Sequence, residues 1–332
     1  MFYVLIHSFY GKILRSALHK SVDSPYRGAN AGYHSRIMKD TEKASPGYYS
    51  VFLYDHNVKA EMTATKRCGF QKYTFPQKDE SRILVDLHFP AEYGMNIEDA
   101  VITKLSNTEI EGYARTVTTS WNNYTLHFVL QFNKAFQTMD GWNNGKQKSN
   151  IETIKGNNDI GIYVTYKTEE DDVIMVKSGI SLVSIEQARL NLETEINKPF
   201  DWDFDAVVNE ARNSWNSILN KIVVEGGSEE DKIKFYTNLY RSYAGKQTWN
   251  DVNGKYVDPC ENVHQLPEGV DVYGGDAFWN SFWNLNGLIS LITPRISNNW
   301  VVTQMELFDK TGWTGKGPTG LEYSGIMLNL RI

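Results

Sequence analysis

The feature that most constrains this chain is a change of hydrophobic period at Ser184. Upstream, from about residue 48, apolar and polar residues alternate, as in Ile83-Leu84-Val85-Asp86-Leu87-His88-Phe89. Alternation with period two puts every second side chain on one face of a strand. The pattern predicts strands within residues 48–54, 58–65, 70–75, 82–89, 100–105, 112–118, 124–132, 161–166 and 173–178. These windows are rich in Val, Ile, Tyr, Phe and Thr. Asp55-His56-Asn57 and the segments 76–81 and 90–96 supply turns between them. Many short strands on short turns imply an antiparallel β-sandwich.

Downstream the spacing becomes helical. Ser184 and Gln187 have capping-box spacing, and Ile185, Ala188, Leu192 and Ile196 follow at helical intervals. Pro199 is expected to stop that helix. A second helix is expected over residues 207–222, with Val208, Ala211, Trp215, Ile218 and Leu219 on one face. Gly226-Gly227 breaks the chain, and Ser228 caps a third helix whose first turn carries Glu229, Glu230 and Asp231. Further helical windows cover residues 276–292 and 297–310. The expected class is α+β and multidomain: an antiparallel β-sandwich over 1–183, a helical linker over 184–227, and the beginning of an all-helical domain over 228–332. Two or three helices cannot bury both faces of such a layer, and Arg331-Ile332 carries no capping signal. The expectation is therefore a truncated protein, with bare apolar faces around Phe235, Trp279 and Leu307 that favour aggregation.

Charge and motifs exclude several classes. A net charge of -6 with no lysine or arginine run argues against nucleic-acid binding. No stretch approaches ~18 consecutive apolar residues, so no transmembrane segment is expected. Residues 1–14 are mildly apolar, but His7, Tyr10 and Gly11 interrupt them and no basic n-region is present, so no signal peptide is assigned. Cys68 and Cys260 lie far apart and form neither a disulfide framework nor a zinc ribbon. Gly315-Lys316-Gly317-Pro318-Thr319-Gly320 matches G-x-G-x-x-G, but it follows a helix, and Pro318 lacks an amide that a phosphate needs. Cys260, Glu261 and His264 have no second Cys/His pair to complete a metal site. Asn250-Asp251-Val252-Asn253-Gly254 is too short for a calcium loop and implies a tight turn.

The segment Tyr273-Gly274-Gly275-Asp276-Ala277-Phe278-Trp279-Asn280-Ser281-Phe282-Trp283-Asn284 points to sugar binding. A core has little use for amides beside rings, because each unpaired buried amide costs ~1–3 kcal/mol. Flat rings stack on a sugar's C–H face, while amides and an acid take its hydroxyls. Trp300, Trp313 and the loop to Glu322 continue that chemistry. The candidate sugar contacts are Asp276, Trp279, Asn280, Trp283, Trp313 and Glu322. The competing reading of Trp279 and Trp283 is that both rings belong to the core of a helix.

Several segments, in order, resemble glycoside hydrolase family 92. Glu42-Lys43-Ala44-Ser45-Pro46-Gly47-Tyr48-Tyr49-Ser50-Val51 is similar to its E-x-A-x-P-G-Y-Y-x-V signature. Lys59 to Pro76, Ile222-Val223-Val224-Glu225-Gly226-Gly227, Phe235-Tyr236-Thr237-Asn238-Leu239-Tyr240-Arg241 and the Asn250–Tyr256 turn follow in the expected places. The resemblance spans about residues 20–332. It implies a calcium-dependent, inverting, exo-acting α-mannosidase built from an N-terminal sandwich and an (α/α)6 barrel. It also implies a periplasmic or secreted bacterial parent acting on glycans. No catalytic residue and no metal ligand is assigned here, since the family's acid, base and most calcium ligands belong to motifs with no counterpart in this sequence. The resemblance places the catalytic pair downstream of Ile332. The first strands of the family's sandwich are likewise expected to be missing. One departure stands out: the family pairs Trp with Asp, with Arg three residues on, where this chain has Trp279-Asn280 and Trp283. Asp276 would then take over a hydroxyl contact. Two alternatives use the same residues: a glycoside phosphorylase on the same plan, and a non-catalytic carbohydrate-binding fragment.

Overall fold

The computed structural model describes residues 35–87, 96–117, 123–274 and 281–312, together with the backbone of 5–9, 318–319 and 322–323. The chain divides into two compact units, residues 1–119 with 123–208, and 120–122 with 209–332.

The first unit is an antiparallel sandwich. Its strands are β1 (Leu5–Phe9), β2 (Lys43–Ser45), β3 (Tyr48–Leu53), β4 (Val58–Ala64), β5 (Cys68–Phe75), β6 (Lys78–Asp86) and β7 (Asn96–Ser106). After these come β8 (Glu109–Val117), β9 (Tyr124–Phe132), β10 (Thr138–Asn143), β11 (Lys146–Lys148), β12 (Thr153–Gly156), β13 (Ile160–Thr168) and β14 (Asp172–Ser181). Among the described residues, one sheet runs β1-β6-β13-β10-β11 and the other β12-β7-β8-β9-β14-β5-β4-β3-β2. Alternation decides which face meets the core. Ile83 and Val85 of β6 and Ile162 and Val164 of β13 meet Tyr73, Phe75, Phe128, Leu130, Ile174 and Val176 from the other sheet. Residues 5–9, within the mildly apolar start of the chain, pair with β6 as a strand. Two of the four edge strands, β2 and β11, are three residues long, exposed and lysine-bearing, which discourages edge-to-edge pairing. Periodicity does not predict β10, β11 or β12. Asn144 (φ 48°) and Gly145 (φ 82°) make the tight turn joining β10 to β11.

A helical segment then packs on the outer face of the larger sheet. Helix α1 (Ile185–Leu192) starts at Ser184, whose Oγ accepts the Gln187 N–H at 3.2 Å. The capping box forms only in part, because Gln187 Oε1 is buried without a partner among the described residues. Pro199 does not stop the helix. The chain continues through a π-turn at Glu193–Asn197 into Lys198–Phe200, with Pro199 in the first turn of that last piece. The break comes at Asp201, whose φ is 46°. Helix α2 (Phe204–Leu219) follows. Ala188, Leu192, Ile196, Phe204, Val207 and Val208 bury against Cys68, Phe70 and Val129. Polar anchors surround them: Arg189 pairs with Glu109 and with Glu111 (2.8 Å), and Arg67 pairs with Glu195 (2.6 Å). Lys177, 1% exposed, donates to Asn197 Oδ1 at 2.7 Å and lies 3.8 Å from the centre of the Trp202 ring. Burial lowers the Lys177 pKa, against the pull of Asp201 and Glu193.

The second unit is helical. It contains the end of α2, α3 (Glu229–Arg241), α4 (Leu285–Ile292) and α5 (Pro294–Thr311). Ser228 and Asp231 form a full capping box at α3. Leu219, Leu239, Tyr243 and Ile289 make its core. Helix α4 begins nine residues later than the window 276–292 suggested, after a turn at residues 281–284. The run Asn284-Leu285-Asn286-Gly287 is a poor helix nucleus. Of the helices expected to bare apolar faces, that around Phe235 exposes Phe235 itself (36%), that around Leu307 buries Leu307 (2%) but exposes its neighbours, and Trp279 lies outside the described residues. Among the exposed apolar positions of the helices are Ile233 (65%), Leu291 (81%), Val301 (54%) and Met305 (59%); on α5, Leu307 turns inward while Val301 and Met305 face outward.

Candidate sugar site and relatives

The segment rich in rings and amides is reached by a short strand. Tyr273–Gly274 pairs with Gln247–Thr248, and Trp249 N–H donates to Val272 O at 2.8 Å. Asn250-Asp251-Val252-Asn253-Gly254 is a tight turn, with Gly254 at φ 82° and its N–H donating to Asp251 O at 2.9 Å. Asn250 and Asp251 are both buried within it.

Of the predicted sugar contacts, Asp276, Trp279, Asn280 and Trp313 lie outside the described residues. So does Ile332, the position beyond which the catalytic pair is expected, and no catalytic residue is placed by the described ones. Glu322 is described by its backbone alone, paired with Thr319 in a small hairpin. Trp283 is placed in full. It is 73% exposed, and its ring stands 5.4 Å from that of Phe282, tilted by 35°. Trp283 is therefore not buried in the core of this unit. The next turn borders an open recess of about 470 Å³ lined by Ser242, Asn284, Leu285, Gly287, Leu288 and Leu291. That lining offers one amide and one hydroxyl. Trp300, grouped with the sugar chemistry by sequence, is 7% exposed, with Lys246 Nζ 4.4 Å from its ring centre. It belongs to the packing of the second unit.

Cys260, Glu261 and His264 surround a different centre, Asp258. Asp258 Oδ1 accepts the N–H groups of Cys260 (2.8 Å) and Asn262 (2.9 Å), and Oδ2 lies 2.7 Å from His264 Nε2. Sequence reasoning passed over Asp258, whose role appears only when the turn closes on it. Burial pushes its carboxyl up; the contacts with His264, Asn262 and Cys260 outweigh that and hold it below the usual carboxylate value. A carboxyl lowered in the folded state contributes stability above its unfolded value and loses it as pH falls through the folded one. Melting of the parent chain and of Asp258→Asn should therefore differ at neutral pH and converge under acid conditions. A pH-independent gap between them contradicts this role.

Among the described residues no three His, Cys, Asp or Glu side chains stand close enough together to hold a metal. Nor is any helix among them long and apolar enough to cross a membrane.

An antiparallel sandwich followed by helices, with an aromatic and amide-rich segment, is a plan found in glycoside hydrolases. The profile of the glycosyl hydrolase family 92 N-terminal domain matches residues 6–181, and that of the family's catalytic domain matches residues 187–329. The chain belongs to glycosyl hydrolase family 92, and its helical unit falls within the family's (α/α)6 catalytic domain. It is similar to a family GH92 α-mannosidase from Bacteroides thetaiotaomicron, with TM-score 0.86 and 22% identity over 97% of this chain and 42% of that one. That enzyme is also known in complex with mannoimidazole. A family GH92 inverting mannosidase from the same organism gives TM-score 0.82 and 20% identity over 98% of this chain and 41% of that one. At these identities the likeness concerns the fold. An uncharacterized secreted glycosidase of Arthroderma benhamiae is 26% identical over 239 residues, 65% of this chain and 30% of that protein. The chain thus spans less than half the length of these relatives.

Proposed function

We propose that this chain contributes the sandwich and adjoining helices of an exo-acting α-mannosidase. The enzyme removes terminal α-linked mannose from glycans, inverts the anomeric carbon and depends on calcium. Family membership supports this reading most strongly. The folds of two mannosidases, one described as inverting and one bound to mannoimidazole, agree with it. Export agrees with the fungal relative described as secreted.

Asp276, Trp279, Asn280, Trp283, Trp313 and Glu322 are the proposed sugar contacts. Rings take the apolar face of the sugar, and the amides and acids take its hydroxyls. Inversion needs a carboxylic acid at the glycosidic oxygen and a carboxylate holding a water, about 6.5–9.5 Å apart. Neither carboxyl group is assigned to a residue of this sequence, and the isolated chain is expected to show no mannosidase turnover.

The test compares this chain with the product of the complete open reading frame that encodes it, on an aryl α-mannoside with calcium or with chelator. Loss of an acid or a base typically removes ~10²–10⁴-fold each. The expected result is calcium-dependent mannose release by the full product and none by the isolated chain. Turnover by the isolated chain contradicts the inactivity; release of glucose, or a requirement for phosphate, contradicts the substrate or the reaction.

A further inference from the structure

Asn123-Tyr124-Thr125 is the only Asn-x-Ser/Thr triplet in the sequence. This triplet is the acceptor pattern for N-linked glycans in exported proteins. Its middle residue is Tyr, which leaves the backbone free to bend where proline would lock it. In Asn107-Thr108-Glu109, Asn213-Ser214-Trp215 and Asn216-Ser217-Ile218 the hydroxyl comes one residue too early. Three residues match by chance easily, so the place of the triplet in the fold decides whether a glycan fits there.

A glycan is bulky and hydrophilic and needs a surface position. Asn123 has one: it is exposed and stands just ahead of the β8–β9 ladder, which begins at the pair Thr116 and Tyr124. Phe128 and Leu130 face the core, so alternation puts the odd-numbered residues of β9 on the outer face of the sheet. Thr125 lies there, half-buried, and its Oγ1 accepts from Arg115 Nη1 at 3.4 Å. The surroundings are polar. Arg115 Nε donates to Glu98 at 2.9 Å, and the Tyr113 hydroxyl donates to Asp99 at 2.7 Å. Among the described residues, the one large exposed apolar side chain of β7 and β8, Leu105, lies at the other end of their ladder. By contrast, Asn191 and Asn250 are 0% and 3% exposed and have no room for a sugar.

We propose that Asn123 is a modification site, which carries an N-linked glycan on the outer face of the sandwich when the chain passes through a secretory pathway. This rests on the export proposed above. The donor is a lipid-linked oligosaccharyl diphosphate. The Asn123 side-chain nitrogen attacks the anomeric carbon of its first sugar. A C–N bond forms while the C–O bond to the diphosphate breaks. The electron pair leaves with the lipid diphosphate, and one amide proton passes to a base of the transferring enzyme. No oxidant or reductant takes part. Thr125 supplies the hydroxyl that marks the acceptor.

The experiment takes the complete open-reading-frame product from the organism that encodes it and reads the peptide containing Asn123 by mass spectrometry, before and after peptide N-glycosidase. The expected result is a peptide bearing N-acetylhexosamine and hexose, which the glycosidase converts to the bare peptide with an aspartate at that position. The same product, secreted from a eukaryotic host, should lose this mass shift completely in Asn123→Gln and in Thr125→Val and keep it in Thr125→Ser. Valine suits the strand and lacks only the hydroxyl. If Thr125→Val is not secreted, Asn123→Gln, which changes an exposed side chain, carries the test. An exported parent with Asn123 unmodified overturns the proposal, and so does a glycosidase-sensitive shift that persists in Asn123→Gln. A parent found only inside the cell overturns the export reading instead, and the proposal with it.

Discussion

Replacing Glu195 with alanine should destabilise the sandwich unit by about 3–5 kcal/mol, the usual cost of leaving one member of a buried ion pair alone. Arg67 and Glu195 side chains are 9% and 13% exposed, and Arg67 Nη1 lies 2.6 Å from Glu195 Oε1. The second carboxylate oxygen accepts the Arg67 N–H at 3.0 Å and the Thr65 hydroxyl. One side chain in the π-turn thus satisfies three donors on the loop between β4 and β5. Alanine leaves a guanidinium, an amide and a hydroxyl in a site that water reaches poorly. For a unit of this size each kcal/mol lowers the melting temperature by roughly 2–4 °C, so calorimetry should show a fall of about 10 °C. The double change Arg67→Met with Glu195→Leu should recover most of it, since apolar replacements of buried pairs are often neutral or better. A loss under ~1 kcal/mol for the single variant, the range of exposed pairs, would show that solvent reaches the pair.

Changing Trp283 to alanine should lower kcat/KM of the complete enzyme by ~10-fold, or about 1.4 kcal/mol of transition-state binding, if its ring meets the sugar. The melting temperature of the isolated chain should not move, because there the ring is 73% exposed and packs beside the similarly exposed Phe282. Trp279→Ala should weaken kcat/KM at least as much if it is Trp279 that stacks. Parent-like kcat/KM in both variants contradicts aromatic stacking on substrate. Unfolding of Trp279→Ala returns that ring to the core.

The change of period at Ser184 made the fold class legible, because alternation and helical spacing are local signals. Ser184 and Ser228 were legible as caps for the same reason, and both accept the N–H three residues on. The strand Thr138–Asn143 was hidden by its composition: Asp140, Gly141 and Asn143 disfavour strands, and β13 pairs with it regardless. The Asn144-Gly145 turn was the available hairpin signal beside it. Lys177 gave no sign that it would be buried, since Asn197 and Trp202, which receive it, come from a different element. At the candidate site the residue types were legible, but the support was not. Thr303 and Tyr273 stand thirty residues apart, and nothing in either neighbourhood reveals that they meet.

The proposed parent enzyme cleaves α-mannosides with inversion. Proton NMR of the anomer first released from an aryl α-mannoside, by the product of the complete open reading frame, tests it most directly. β-Mannose is expected first, with the α-anomer appearing only later by mutarotation. Initial release of α-mannose, or no mannose at all from any α-mannoside, contradicts it.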